Sequence, residues 1–387
     1  MERKYIIVSI LILIMISLLL GIRLNSKFNN QPKKQSYLSI LVDSVEQASI
    51  PAKGNYDVSL SCDNGKGRWN YDTWEAEIAS ASATTKCTLS FTSTTPVNLN
   101  TYIKSLSKGS GDGTQNVSNS VGVWQEPLGD WRYEGKNPDN YLWFNNEYWR
   151  IIGVFSDNTH GKTGQELVKI IRDESIGGLV WQKNNVNDWE HATSSLKMLL
   201  NNFYYNGTNE STITHCYSYS TTITGNCNFI KNGITNTVYR NMIENVTWYL
   251  GGRADTTATA STFYSAERGT TVYAGRPTSG NGYIGLMYPS DYGYSVLANS
   301  CVRTTNLGSY NTAACGGNAW LFRGEYEWTI TPNSGYTSFV FNVNYNGFVS
   351  NLIANLGNSV RPVLYLKSDT KKLSGDGSLG DPFIVIR

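Results

Sequence analysis

Apolar residues follow three rhythms along this chain. From Tyr5 to Ile22 they are continuous: 18 residues, YIIVSILILIMISLLLGI, carry no charge. As a helix at about 1.5 Å per residue the run spans about 27 Å, enough to cross a bilayer's hydrocarbon core. It predicts a membrane anchor or signal segment over residues 1–22. A cleaved signal needs small residues just past the apolar run, and this run ends Leu20-Gly21-Ile22-Arg23, so an uncleaved transmembrane helix is the favoured reading. Residues 23–50 then form a polar stalk with a short amphipathic piece, YLSILVDSVEQA.

The second rhythm has period two. In YDVSLSC, Val58, Leu60 and Cys62 share a face; in CTLSFTS, Cys87, Leu89 and Phe91 do. Such alternation marks half-buried strands, and DNGKG between them is a turn signal. Residues 51–95 are therefore expected to form a small β module. Residues 96–127 open on a short helix, PVNLNTYIKSL, and continue as a Gly/Ser-rich flexible linker.

The third rhythm is mixed and fills residues 128–387. NYLWFNNEYWRIIGVF has a hairpin turn at its centre, and QELVKIIRDESIG is a strand. SSLKMLLNNFYYNG places Leu196, Leu199, Leu200 and Phe203 on one helical stripe, capped by Thr193, Ser194 or Ser195 and ended by Gly207. VYRNMIENVTWYLGG does the same with Tyr239, Met242, Ile243, Val246 and Leu250. Short strands and long loops follow. A strand, two helices and more strands make an α+β pattern.

Charge changes the picture by exclusion. Charged residues are 16% of the chain and the net charge is +2, without the basic stripe of a nucleic-acid binder. Arg23, Lys27, Lys33 and Lys34 after the apolar run would by themselves hold that side in the cytoplasm. The cysteines argue the other way. Cys62, Cys87, Cys216, Cys227, Cys301 and Cys315 form three sequence-local couples. An even number beside an export segment suggests disulfides. Pairing 62–87, 216–227 and 301–315 is the simplest of the 15 possible connectivities, each loop contributing roughly 3 kcal/mol. Buried free thiols are the alternative. Zinc at His215, Cys216 and Cys227 lacks the usual ligand spacing. The bulk of the chain is thus expected outside the cell.

The ordered succession NYLWFNNEYWRIIGVF, SSLKMLLNNFYYNG, WYLGG, FYSAERG, YIGLMYPSDYGYS, WTITP, GFVS and VRPVLYL resembles an extracellular domain of Gram-positive surface proteins related to the formylglycine-generating-enzyme and C-type-lectin-like fold. The resemblance covers roughly residues 128–370. It implies a C-type-lectin-like domain, with two helices flanking a twisted antiparallel sheet and long loops. Residues 51–95 resemble the small β modules that precede such domains. The active constellations do not carry over. Cys301 and Cys315 precede the last strands, unlike the copper-binding pair of the enzymes. Glu126-Pro127 is followed by Leu128, unlike a lectin calcium motif.

Other chemistry is sparse. GDGSLG, Gly375–Gly380, matches a dinucleotide fingerprint in letters, but only seven residues follow it, and the mechanism needs a helix there. It is read as a turn before a closing strand, FIVI. In VRPVLYL, Pro362 belongs near a strand's start or on an edge, and Arg361 calls for a carboxylate partner. No catalytic residues, cofactor or metal are expected. Eight aromatic, amide and basic residues in late loops are the candidate ligand contacts: Tyr310, Trp320, Arg323, Tyr326, Asn333, Tyr336, Tyr345 and Asn346, side chains that combine contact area with a polar tip. The expected function is adhesin-like: a membrane-anchored bacterial surface protein that binds a glycan or protein without catalysis. The alternatives are an enzyme of formylglycine-generating or wall-hydrolase type, and a purely architectural domain.

Overall fold

The computed structural model describes residues 37–79, 82, 84–110, 118–192, 195–210, 216–218, 221–222 and 227–387. The apolar run over residues 5–22, the possible caps Thr193 and Ser194, and His215 lie outside them. No helix among the described residues is long and apolar enough to cross a membrane. The chain divides into two compact units, one ending at Pro96 and one running from Val97 to Arg387.

In the first unit four strands lie in the lateral order Val45–Gln47, Tyr37–Val42, Lys86–Ser93, Tyr56–Cys62. Lys86–Ser93 is the hub. It runs parallel to Tyr37–Val42 and antiparallel to Tyr56–Cys62, where Cys62 faces Cys87 in register. The alternation has its physical counterpart: Cys87, Leu89 and Phe91 are buried. Leu89 and Phe91 with Ile40 and Trp69 make the small core, on which Trp74 also packs. The Trp69 ring meets Trp74 and Phe91 edge-on, each at 5.1 Å.

The second unit is built on a curled sheet. Eight strands follow one another laterally: Ile284–Gly285, Val363–Leu366, Leu167–Arg172, Glu147–Phe155, Tyr141–Phe144, Phe383–Ile386, Lys371–Ser374 and Val97–Asn98. All neighbours are antiparallel except Tyr141–Phe144 with Phe383–Ile386. The hairpin at FNNEYW turns on Asn145 and Asn146, both at positive φ (54° and 61°), as a two-residue turn matched to strand twist requires. Ile151 to Phe155 are buried without a break, as are Leu167 to Ile171. The middle of the sheet is therefore covered on both faces. A second sheet has the order Gly178–Val180, Gly357–Ser359, Glu327–Pro332, Phe339–Val343, Val349–Ile353.

This architecture corrects the expected α+β, C-type-lectin-like fold. Among the described residues the protein is mostly β, with 37% strand and 14% helix, and its main sheet is a curled half-barrel accompanied by several small sheets. No α-helix among the described residues exceeds the eight residues of Ala260–Glu267. The stripe expected from Tyr239 to Leu250 is helical only over Thr237–Met242. Val246–Tyr249 is a strand paired with Ser279–Gly282. Val246, Trp248 and Leu250 are buried, while Thr247 and Tyr249 are half-buried. The apolar positions 246 and 250 satisfy period two as well as a helical stripe, and the β-branched and aromatic residues there favour the strand. The first expected helix is α only over Leu196–Met198 and continues as a π-helix, Leu199–Tyr204. Its wider turn, closed by Tyr205 N–H to the Leu200 carbonyl at 2.9 Å, buries Tyr204 and leaves Phe203 half-buried. Gly207, at φ 61°, follows its end.

Candidate ligand-binding site

The second sheet supplies a platform for the late loops. Strand Glu327–Pro332 is buried at every position, and Phe339–Val343 at all but the first. Their pairing puts Glu327 opposite Val343 and Pro332 opposite Val340. Tyr326 and the 344–348 turn therefore share one end of the sheet, and the 333–338 loop occupies the other.

That geometry sorts the eight candidates. Tyr310 is buried, its hydroxyl donating to the Gly293 carbonyl at 3.1 Å. Trp320 is buried and donates its indole N–H to the Tyr133 carbonyl at 2.7 Å. Asn333 ties down its own loop: its Nδ2 donates to the Ala254 carbonyl, and its Oδ1 accepts from Gly335 N–H. These three are accounted for by packing. Tyr336 is 57% exposed but stands at the far end, against Phe339.

Tyr326 and Tyr345 remain, 38% and 51% exposed, with ring centroids 5.2 Å apart at 59°. Arg323 and Asn346 are exposed on the same two chain segments. The ledge is rigidly founded. Tyr326 accepts Ser359 N–H through its carbonyl at 2.9 Å. Asn344 Oδ1 accepts Asn346 N–H at 3.0 Å, fixing the turn that carries Tyr345. Gly347 sits at φ 92°, and a Cβ placed on it would lie 3.3 Å from the Gly316 Cα.

Below this end lies a bidentate ion pair. Arg361 donates from Nε and Nη2 to the two Glu327 oxygens at 2.7 and 2.9 Å, and from Nη2 to the Leu321 carbonyl at 2.7 Å. Pro362 immediately precedes strand Val363–Leu366, where its missing N–H costs no ladder bond. Burial raises the Glu327 carboxyl, with Arg361 opposing that shift.

A second buried group is purely internal. Asp291 takes Arg132 at 2.8 Å and Lys169 at 2.5 Å. The Lys169 ammonium is ringed by Phe155, Trp248, Tyr288 and Tyr365 at 4.5 to 5.7 Å. Burial opposes the Asp291 charge, but Lys169 and Arg132 outweigh it and hold the carboxyl at about 2. Burial pushes Lys169 down to about 8, helped by Arg132 and Arg268. The network is sealed in the core and offers no ligand a path.

Sequence reasoning missed Arg150. Its signal was a guanidinium inside the apolar run YWRIIGVF of strand Glu147–Phe155. All six cysteines are bonded, as Cys62–Cys87, Cys216–Cys227 and Cys301–Cys315. Three disulfides are consistent with an extracellular protein. Among the described residues no cluster of three or more His, Cys, Asp or Glu is placed to hold a metal ion. No family model matches the chain, and no curated protein or solved structure matches it.

Proposed function

We propose that this is an extracellular protein anchored to a membrane by residues 5–22, whose Val97–Arg387 unit binds a glycan without catalysis. The observation that carries the reading is the exposed Tyr326–Tyr345 pair on a rigid sheet end. Aromatic rings with polar tips present flat apolar faces beside hydrogen-bonding groups, which suits a sugar ring, and Asn346 adds an exposed amide. A stable protein partner covers roughly 800 Å² on each side, and two half-exposed rings among polar neighbours favour the smaller ligand.

The test is a glycan array probed with the full-length protein and with Tyr326→Ala/Tyr345→Ala. Loss of array signal at an unchanged melting temperature supports the reading. A double variant that binds like the parent, or that loses binding only as it unfolds, makes the pair structural. An empty array together with a protein captured through the two tyrosines assigns the ledge to a protein ligand. Anchoring has its own test: deleting residues 1–22 should move the protein from the membrane fraction to the soluble one.

A further inference from the structure

We infer that the ligand of this ledge carries an oxyanion, and that Arg150 and Arg323 form the subsite that receives it. The inference rests on the reading of the Tyr326–Tyr345 pair as a glycan-binding surface.

Arg150 is the starting point. Four cationic side chains with lysine or arginine heads are buried among the described residues: Arg132, Arg150, Lys169 and Arg361. Arg132 and Lys169 pair with Asp291, and Arg361 pairs with Glu327. Arg150, only 3% exposed, pairs with no carboxylate. Its Nε donates to Asn140 Oδ1 at 2.7 Å and its Nη2 to the Pro138 carbonyl at 3.0 Å. Its plane lies over the rings of Tyr141 at 4.2 Å and Trp320 at 4.8 Å. Nη1 makes no hydrogen bond in the protein and is not sealed from solvent. Burial lowers this guanidinium to about 10, so it stays charged at neutral pH. A buried, uncompensated charge is costly, and a site that retains one is a site for a counter-charge.

Its neighbours point the same way. Arg323 and Arg361 lie close enough to act on Arg150 electrostatically, as does Asp173. Arg323 gives only Nη2 to Asp173, so its Nε and Nη1 have no protein partner, and its side chain is 30% exposed. Arg361 keeps Nη1 buried without an acceptor. Arg150 and Arg323 thus hold spare N–H groups open to a ligand, Arg361 adds a third positive charge, and Asp173 and Glu327 supply only two negative ones. Glu325 is exposed and makes no ion pair, so solvent and salt screen it.

The subsite and the ledge share one stretch of chain. Trp320 stacks on Arg150, the Leu321 carbonyl takes Arg361, Arg323 follows, and Tyr326 meets Tyr345. Guanidinium forks recognise planar or tetrahedral oxyanions through paired hydrogen bonds. A carboxylate on a uronic or sialic unit and a sulfate ester both supply that chemistry.

The experiment titrates full-length protein with matched neutral, uronate-bearing and sulfated oligosaccharides, at about 50 and about 500 mM salt. At least one acidic series should bind about tenfold or more tighter than its neutral match at low salt, and lose that margin at high salt. Arg323→Gln, a surface change, should remove the same margin at an unchanged melting temperature; Arg150→Gln should do so if it folds. The stronger acidic series tells carboxylate from sulfate. Equal binding of neutral and acidic ligands, or an unaffected Arg323→Gln, overturns the oxyanion subsite. If Tyr326→Ala/Tyr345→Ala still abolishes binding in that case, the ledge survives. If the double variant binds every series like the parent, ledge and subsite fall together.

Discussion

Asp291 stands where a core ordinarily admits no charge. Its Oδ1 accepts from Arg132, and its Oδ2 from Lys169 and from Tyr288 N–H at 2.9 Å. Nearby Glu267 takes Ser290 N–H and pairs with Arg268 at 3.0 Å. Asp291's folded value of about 2 lies below its ordinary 3.8. The stability it contributes is therefore fully present above pH 4 and lost as pH falls from there toward 2, by about 2 kcal/mol. Urea midpoints between pH 5 and pH 2 should fall in that window, and Asp291→Asn should flatten the fall. Arg361→Met leaves Glu327 buried without its counter-charge, and should cost about 3–5 kcal/mol in denaturant unfolding. Adding Glu327→Leu should recover much of that loss. Both residues could be suspected from the chain: Arg361 stands beside a strand-starting proline, and Asp291 follows Pro289 at a helix start. Their partners could not, because Glu327 is 34 residues from Arg361 and Lys169 is 122 from Asp291.

Elements show where pattern misleads. The hairpin at Asn145-Asn146 was legible because turn chemistry is local. So were the turn that holds Gly375 and Gly377, at φ 84° and 88°, and the closing strand Phe383–Ile386, though not its partner Lys371–Ser374. The helix expected through Leu250 was not, since the same apolar letters served a strand. The long strand Glu147–Phe155 has another local demand. Its register shifts between Ile151 and Gly153, and a side chain on Gly153 would lie 2.0 Å from the Trp131 carbonyl oxygen of the neighbouring strand. Gly153→Ala should cost roughly 2–3 kcal/mol, measured by thermal or chemical unfolding. An alanine that leaves stability unchanged would mean the two strands can part freely.

At the scale of the molecule, each unit has its own core. The first relies on few residues, a size at which a covalent staple matters. Replacing Cys62 and Cys87 with serine should cost it roughly 3 kcal/mol. Its Trp69 fluorescence should change in that variant while the Val97–Arg387 unit keeps its near-ultraviolet signature. Val97–Arg387 expressed alone should melt as it does in the full chain.

By itself, the sequence determined the pieces whose causes are local: the apolar run at residues 5–22, the alternating strands of the first unit, the asparagine and glycine turns, and three cysteine couples close enough in the chain to meet. Tertiary structure decided the rest. It curled eight strands from distant parts of the chain into one sheet, ended the second helix at Met242, and buried Tyr310, Trp320 and Asn333. It left Tyr326 and Tyr345 exposed together and buried Arg150 over Tyr141 and Trp320 without a carboxylate. The physical reason is that periodicity constrains which residues share a face, whereas burial and charge pairing depend on which other segments pack against that face.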